Sequence, residues 1–175
     1  GGGRRSGHAK GHGGGRGDGR FILFGRYEPK RPVLHGLTVG AKDPPAPVRM
    51  PGQTRGFRLS PDGRWLLWMS AESGRREIYV QRFPEGSGRQ QVSVNGGRSG
   101  RWNPDGREIL FVSPEARLMA ASFDSGGRST RISLPDPLFP VSRGTIEDAY
   151  PGTARLSWDI STAGQRLMHA RTLSE

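Results

Sequence analysis

Three aspartates recur in near-identical surroundings, Gly17-Asp18-Gly19-Arg20, Pro61-Asp62-Gly63-Arg64 and Pro104-Asp105-Gly106-Arg107. A row of carboxylates could exchange protons or gather a cation, but each of these stands beside glycine, and two follow proline. That is the composition of a tight turn: Pro61 and Pro104 preset φ at the first corner, the aspartates accept from nearby amides, and Gly19, Gly63 and Gly106 supply positive φ. The aspartates are therefore assigned to chain reversal, and no catalytic residue is assigned among them. His8 and His12 stand four residues apart, a ligand pair only on a helix, which the surrounding glycines oppose. His35 and His169 have no Asp, Glu or Cys at ligand spacing, so no metal site is expected. Arg16-Gly17-Asp18 spells an adhesion tripeptide, but the turn repeat already accounts for Asp18.

Cysteine is absent, which excludes disulfides, thiolate zinc sites and a cysteine nucleophile and leaves the compartment open. Neither a Gly-x-Ser-x-Gly elbow nor a glycine-rich phosphate loop occurs, so neither a serine nucleophile nor a nucleotide cofactor is indicated. The sequence therefore points to no enzyme chemistry. Its charge favours anionic partners without specifying one: 27 basic residues against 16 acidic give +11. Only Lys10, Lys30 and Lys42 are lysines, and the bias toward Arg, Gly, Pro and Ala is also what GC-rich codons produce.

The elements that must position these turns come in short pieces. With 32% hydrophobic residues and 28 glycines in 175, the apolar material is concentrated in Phe21 to Phe24, Trp65 to Met69 and Ile109 to Val112. Each run is far below the roughly 20 residues of a membrane helix. Residues 1–17 hold Arg4, Arg5, Lys10 and Arg16 among glycines with no core-forming side chain, and are expected to be a disordered tail able to bind polyanions non-specifically. Beyond it Asp18, Asp62 and Asp105 follow one another at 44 and 43 residues, the period of a four-stranded blade. A degenerate fourth copy, Ser161 to Met168, comes late, and an insertion is placed in the Pro-rich stretch from Pro135 to Gly152.

Within one period a strand leads into the Pro61-Asp62-Gly63 turn, and the strands after it are read as Trp65 to Met69, Glu77 to Phe83 and Gln91 to Val94, with further turns at Gly74 and Asn95-Gly96-Gly97. The next period repeats them at Ser99 to Asn103, Glu108 to Val112, Leu118 to Phe123 and Thr130 to Leu134. The expected fold is all-β, a partial β-propeller of about three to four four-stranded antiparallel blades, at about 18–54, 55–97, 98–141 and a partial 153–173 within a domain of 18–175. Its core is assigned to Phe21, Leu23, Trp65, Leu67, Trp68, Ile78, Val80, Trp102, Ile109 and Phe111.

The run from Phe57 to Trp65, Ile78-Tyr79-Val80-Gln81-Arg82-Phe83-Pro84, Asn95-Gly96-Gly97, Arg101-Trp102, Leu118-Met119 and Pro137-Leu138-Phe139 together resemble the WD40-like repeats of TolB-like bacterial propellers. They are closest to those attached to bacterial serine/threonine kinases of the eukaryotic type. The resemblance implies a ring of six or seven blades of which this chain supplies three and part of a fourth, a piece of a larger protein whose remaining blades are its partners. The kinase signatures themselves are absent. It implies a non-catalytic module that binds a protein or peptide ligand or senses one. Two other roles compatible with the residues are an accessory propeller of a serine peptidase and RNA binding through the Arg/Gly tail.

Overall fold

A computed structural model describes residues 21–27, 32–38, 48–50, 54–127, 129–141, 158–160 and 167–169. The Gly/Arg tail, Asp18, Gly19 and most of the stretch from Pro135 to Gly152 lie outside them. All regular elements among the described residues are strands, paired antiparallel throughout. β1 (Phe21–Tyr27), β2 (Pro32–Thr38) and β3 (Val48–Arg49) form one sheet. β4 (Thr54–Leu59), β5 (Trp65–Ser70), β6 (Glu77–Arg82) and β7 (Gln90–Gln91) form the second in sequential order. β8 (Arg98–Trp102), β9 (Glu108–Val112), β10 (Arg117–Asp124) and β11 (Arg131–Ile132) repeat that meander, and β12 (Asp136–Pro140) joins the same edge of β10. β13 (Trp158–Ile160) and β14 (Leu167–His169) form a separate hairpin.

The sheets meet face to face, and strand alternation decides which residue serves which interface. Along β5, Trp65, Leu67 and Met69 join Ile78 and Val80 of β6 and Trp102, Ile109, Phe111, Ala121 and Phe123 of the following sheet in one apolar cluster. The residues between them, Leu66, Trp68, Tyr79 and Phe83, pack on the other face with Met50 and Val48 from the end of the first sheet. All six residues of β5 are buried, as expected of a strand with a sheet on each side. Eight of the assigned core residues, Trp65 to Phe111, thus line these two interfaces. Phe21 and Leu23 lie on β1, paired with Thr38 and Gly36 of β2.

The repeated turns have the geometry their composition encodes. Gly63 and Gly106 take φ of 72° and 71°. Gly63 N–H donates to the Ser60 carbonyl at 2.9 Å and Gly106 N–H to that of Asn103 at 2.8 Å. Asp62 and Asp105 each accept from the amide two residues on, Arg64 at 3.1 Å and Arg107 at 2.9 Å.

Two strands differ from expectation. The outer strand of the second sheet ends at Gln91. Val92 and Ser93 turn inward and are buried, because the Ser93 hydroxyl replaces a ladder partner by accepting from Ile78 N–H at 2.8 Å. In the next sheet Thr130 to Leu134 gives only the two-residue β11. Pro137, Leu138 and Phe139, placed in an insertion, instead continue the outer edge as β12 along Arg117 to Ala120. Prolines at 135, 137 and 140 suit an edge strand, where a missing N–H costs no ladder bond.

Close approach of the two sheets depends on Gly97. A Cβ there would lie 2.8 Å from Ser93 Cβ, 2.9 Å from Ile78 Cγ1 and 3.0 Å from Phe111 Cδ2. Gly97→Ala is expected to destabilise the fold by about 1–3 kcal/mol through overpacking, read as a lower denaturant midpoint at unchanged slope. A neutral substitution would mean that the interface is looser than described.

Candidate functional site

The Pro-Asp-Gly turns of the second and third sheets come together on one face of the stack, with the loop after β10. Between them lies a cleft of about 540 Å³ lined by Ser60, Asp62, Trp65, Asp105, Arg107, Phe123, Asp124 and Gly126 among others. Its floor is aromatic. Phe123 meets Trp65 and Trp102 nearly at right angles, with ring centroids 5.1 Å and 4.9 Å apart, so in each pair the positive edge of one ring faces the other's π-cloud. The Arg82 guanidinium lies 4.8 Å over the Trp65 ring. The rim is polar, with three carboxylates and Arg107.

Each rim carboxylate is already engaged in holding its loop. Asp62 accepts from the Ser60 hydroxyl as well as Arg64 N–H, Asp105 from Arg107 N–H and Asp124 from Gly126 N–H at 2.9 Å. These bonds fix the walls of the cleft before any ligand arrives, which reduces the ordering cost of binding. Among the described residues no group of three or more His, Cys, Asp or Glu side chains is placed to hold a metal ion. His35 stands on β2, half-buried. The sequence identified Asp62 and Asp105 as turn residues but gave no sign that the two turns, 43 residues apart, would wall one cleft with Asp124.

The opposite face holds a feature that residue types alone did not reveal. Glu77 is 1% exposed, yet its carboxylate is fully engaged. Gly96 N–H donates to both oxygens at 3.0 Å, the Ser93 hydroxyl donates to Oε2, and Arg75 Nε lies 2.7 Å from Oε1. The arrangement pins the connection from the second sheet to the third. Nearby, Glu115 is held below the usual carboxylate range, first by a hydrogen bond from the Ser113 hydroxyl, then by its own backbone amide, with a smaller pull from Arg98.

Solved structures with the same fold are β-propellers. TolB from Acinetobacter baumannii matches with a TM-score of 0.56 at 20% identity, over 92% of this chain and 43% of that one. A protein assigned as TolB from Agrobacterium tumefaciens matches with a TM-score of 0.51 at 19% identity, over 78% and 52%. The β-propeller domain of the Trilobed protease from Pyrococcus furiosus matches over 68% and 40%, at 20% identity and a TM-score of 0.47. No family model matches the chain, and no curated protein matches it. The chain spans about half the length of the two TolB structures. At these identities the likeness to the two TolB structures shows the fold alone: an all-β partial propeller, with β4–β7 and β8–β12 as consecutive blades.

Proposed function

We propose that the chain is a non-catalytic binding module that takes a peptide segment of a protein ligand in the cleft between its Pro-Asp-Gly turns. The observation that carries this reading is the construction of the cleft: an aromatic floor, a polar rim, and walls whose carboxylates are spent on their own loops. A site of that kind has groups to orient a ligand and none activated to attack it. The residue resemblance supports placing the module in a bacterial membrane serine/threonine kinase, as its sensing part, with further blades of the same protein completing the ring.

The test fills the cleft. Gly126 lines it on an exposed loop, and a Cβ there meets only Asp124 Oδ1, at 3.4 Å. Peptides selected from a random library against the full chain are expected to lose about tenfold or more in affinity for Gly126→Trp, with the thermal melt unchanged. Failure to select any specific peptide, or selected peptides that bind the variant equally well, would remove the cleft from the account.

A further inference from the structure

The cleft between the Pro-Asp-Gly turns reverses the sign of charge that prevails in the chain. The whole sequence carries 27 basic residues against 16 acidic, yet the cleft is lined by three carboxylates, Asp62, Asp105 and Asp124, and one guanidinium, Arg107. All four side chains are exposed. Each carboxylate is tied to its own loop through Oδ1, which accepts from the Ser60 hydroxyl and Arg64 N–H at Asp62, from Arg107 N–H at Asp105 and from Gly126 N–H at Asp124. Among the described residues Oδ2 of each accepts no hydrogen bond, and none of the three carboxylates forms an ion pair.

Cations are close by in the sequence without closing these sites. Arg64 stands two residues from Asp62 and Arg107 two from Asp105, but neither guanidinium forms an ion pair with a rim carboxylate. Arg82 lies instead over the Trp65 ring, 4.8 Å from its centre. The aromatic floor thus already attracts one cation through the electron-rich face of a ring. Trp65 and Phe123 are 2% and 5% exposed, so they close the bottom of the cleft and a ligand rests on them rather than between them. Open carboxylates above low-dielectric walls concentrate the local field. Charges farther than about 8 Å from a ligand are largely screened at physiological salt, so the rim outweighs the excess of arginine elsewhere on the chain. The carboxylates are not placed to hold a metal ion together, and the cation they suit is one carried on a flexible side chain.

We infer that the cleft selects a basic peptide segment, whose lysine or arginine side chains lie over the aromatic floor and donate to the open oxygens of Asp62, Asp105 and Asp124. The inference rests on the binding-module reading and names the ligand class of the same cleft. Such side chains fit both of its parts. Their aliphatic stems cover apolar surface while the charged head stays in water, and an ammonium or guanidinium group carries several donors and no acceptor. An acidic segment would meet three carboxylates and find one guanidinium, Arg107, to receive it.

The experiment uses the full chain and dye-labelled peptides of equal length in which alanine alternates with lysine, arginine or glutamine. The lysine and arginine peptides are expected to bind about tenfold tighter than the glutamine peptide, although the chain itself carries +11. Their affinity should fall as salt rises. Asp105→Asn with Asp124→Asn is expected to weaken them by about tenfold or more, because asparagine still accepts the loop N–H and removes only the charge. Glu72→Gln with Glu115→Gln, an equal loss of acidic charge outside the cleft, should leave the affinity within about twofold. Should the asparagine pair fail to give a cooperative melt, Arg107→Gln serves in its place with the opposite sign, tightening the lysine peptide by about threefold while Arg117→Gln, outside the cleft, leaves it unchanged. Basic peptides that bind no tighter than the glutamine peptide overturn the inference, as does affinity indifferent to the folded rim variants. Gly126→Trp separates the two readings. Library-selected peptides that lose affinity there and ignore the asparagine pair sink the charge selection and leave the cleft standing, whereas basic-peptide binding that survives Gly126→Trp lies outside the cleft and overturns both.

Discussion

Trp68→Ala is expected to lower the free energy of unfolding by about 3–5 kcal/mol, among the largest effects of any single truncation at the described residues. Trp68 is 0% exposed. Its ring stacks on Tyr79 at 5.8 Å and 26°, in the cluster that joins Leu66 and Phe83 to Met50 from the preceding sheet. Arg89 lies across both rings, 4.4 Å from the centre of Tyr79 and 5.7 Å from that of Trp68, and pairs with Glu72. Burial there pushes the Arg89 guanidinium below its ordinary pKa. Removing the indole opens a void between two sheets whose backbones are fixed by their own ladders, so the site relaxes poorly. Trp68→Phe should cost much less. The indole Nε1 has no hydrogen-bond partner, so phenylalanine sheds an unsatisfied donor while keeping a ring on Tyr79. Urea titration of the three chains gives the comparison. An alanine variant within about 1 kcal/mol of the parent would show that this interface is not a close-packed core.

What the sequence made legible is what repeats. Pro61-Asp62-Gly63 and Pro104-Asp105-Gly106 each carry a local instruction, and the structure executes both with the same φ and the same hydrogen bonds. The run from Trp65 to Met69 was legible for a different reason. A strand apolar on both faces has nowhere to lie except between two sheets, and its alternate residues do divide between two clusters. Where a strand carried no such demand the boundaries moved. Val92 looked like one position of an alternating strand, and the inward turn of Ser93 is set by a partner 15 residues away, Ile78.

The candidate site was less legible than the fold because it is assembled across the repeat. Each aspartate is explained within its own turn, while the cleft exists only because two turns and the loop at Asp124 to Gly126 meet.

Glu77→Ala is expected to cost about 3–5 kcal/mol, nearly as much as losing Trp68, although it removes little apolar surface. The carboxylate is the common acceptor for Gly96 N–H and the Ser93 hydroxyl, both in the connection between blades. Truncation leaves these buried donors unpaired, whereas the exposed Arg75 simply returns to water. The connection has little room to find another arrangement. Gly96 has φ of 100°, and a Cβ on it would meet Pro114 Cγ at 2.7 Å, while Gly97 N–H is held by the Arg76 carbonyl at 2.8 Å. The network is also not a property of the repeat. The corresponding strand of the next blade begins with Arg117, which pairs with Pro140 because the outer edge there continues into β12. Glu77→Gln should recover more than half of the loss, since the amide oxygen still accepts from Gly96 even as its NH₂ meets the Ser93 hydroxyl, which can rotate to accept. The expected signature is a lower midpoint with loss of hydrogen-exchange protection concentrated at Ile78, Gly96 and Gly97. Loss spread evenly over both blades, or an alanine variant as stable as the glutamine one, would mean that Glu77 does not hold the junction between them.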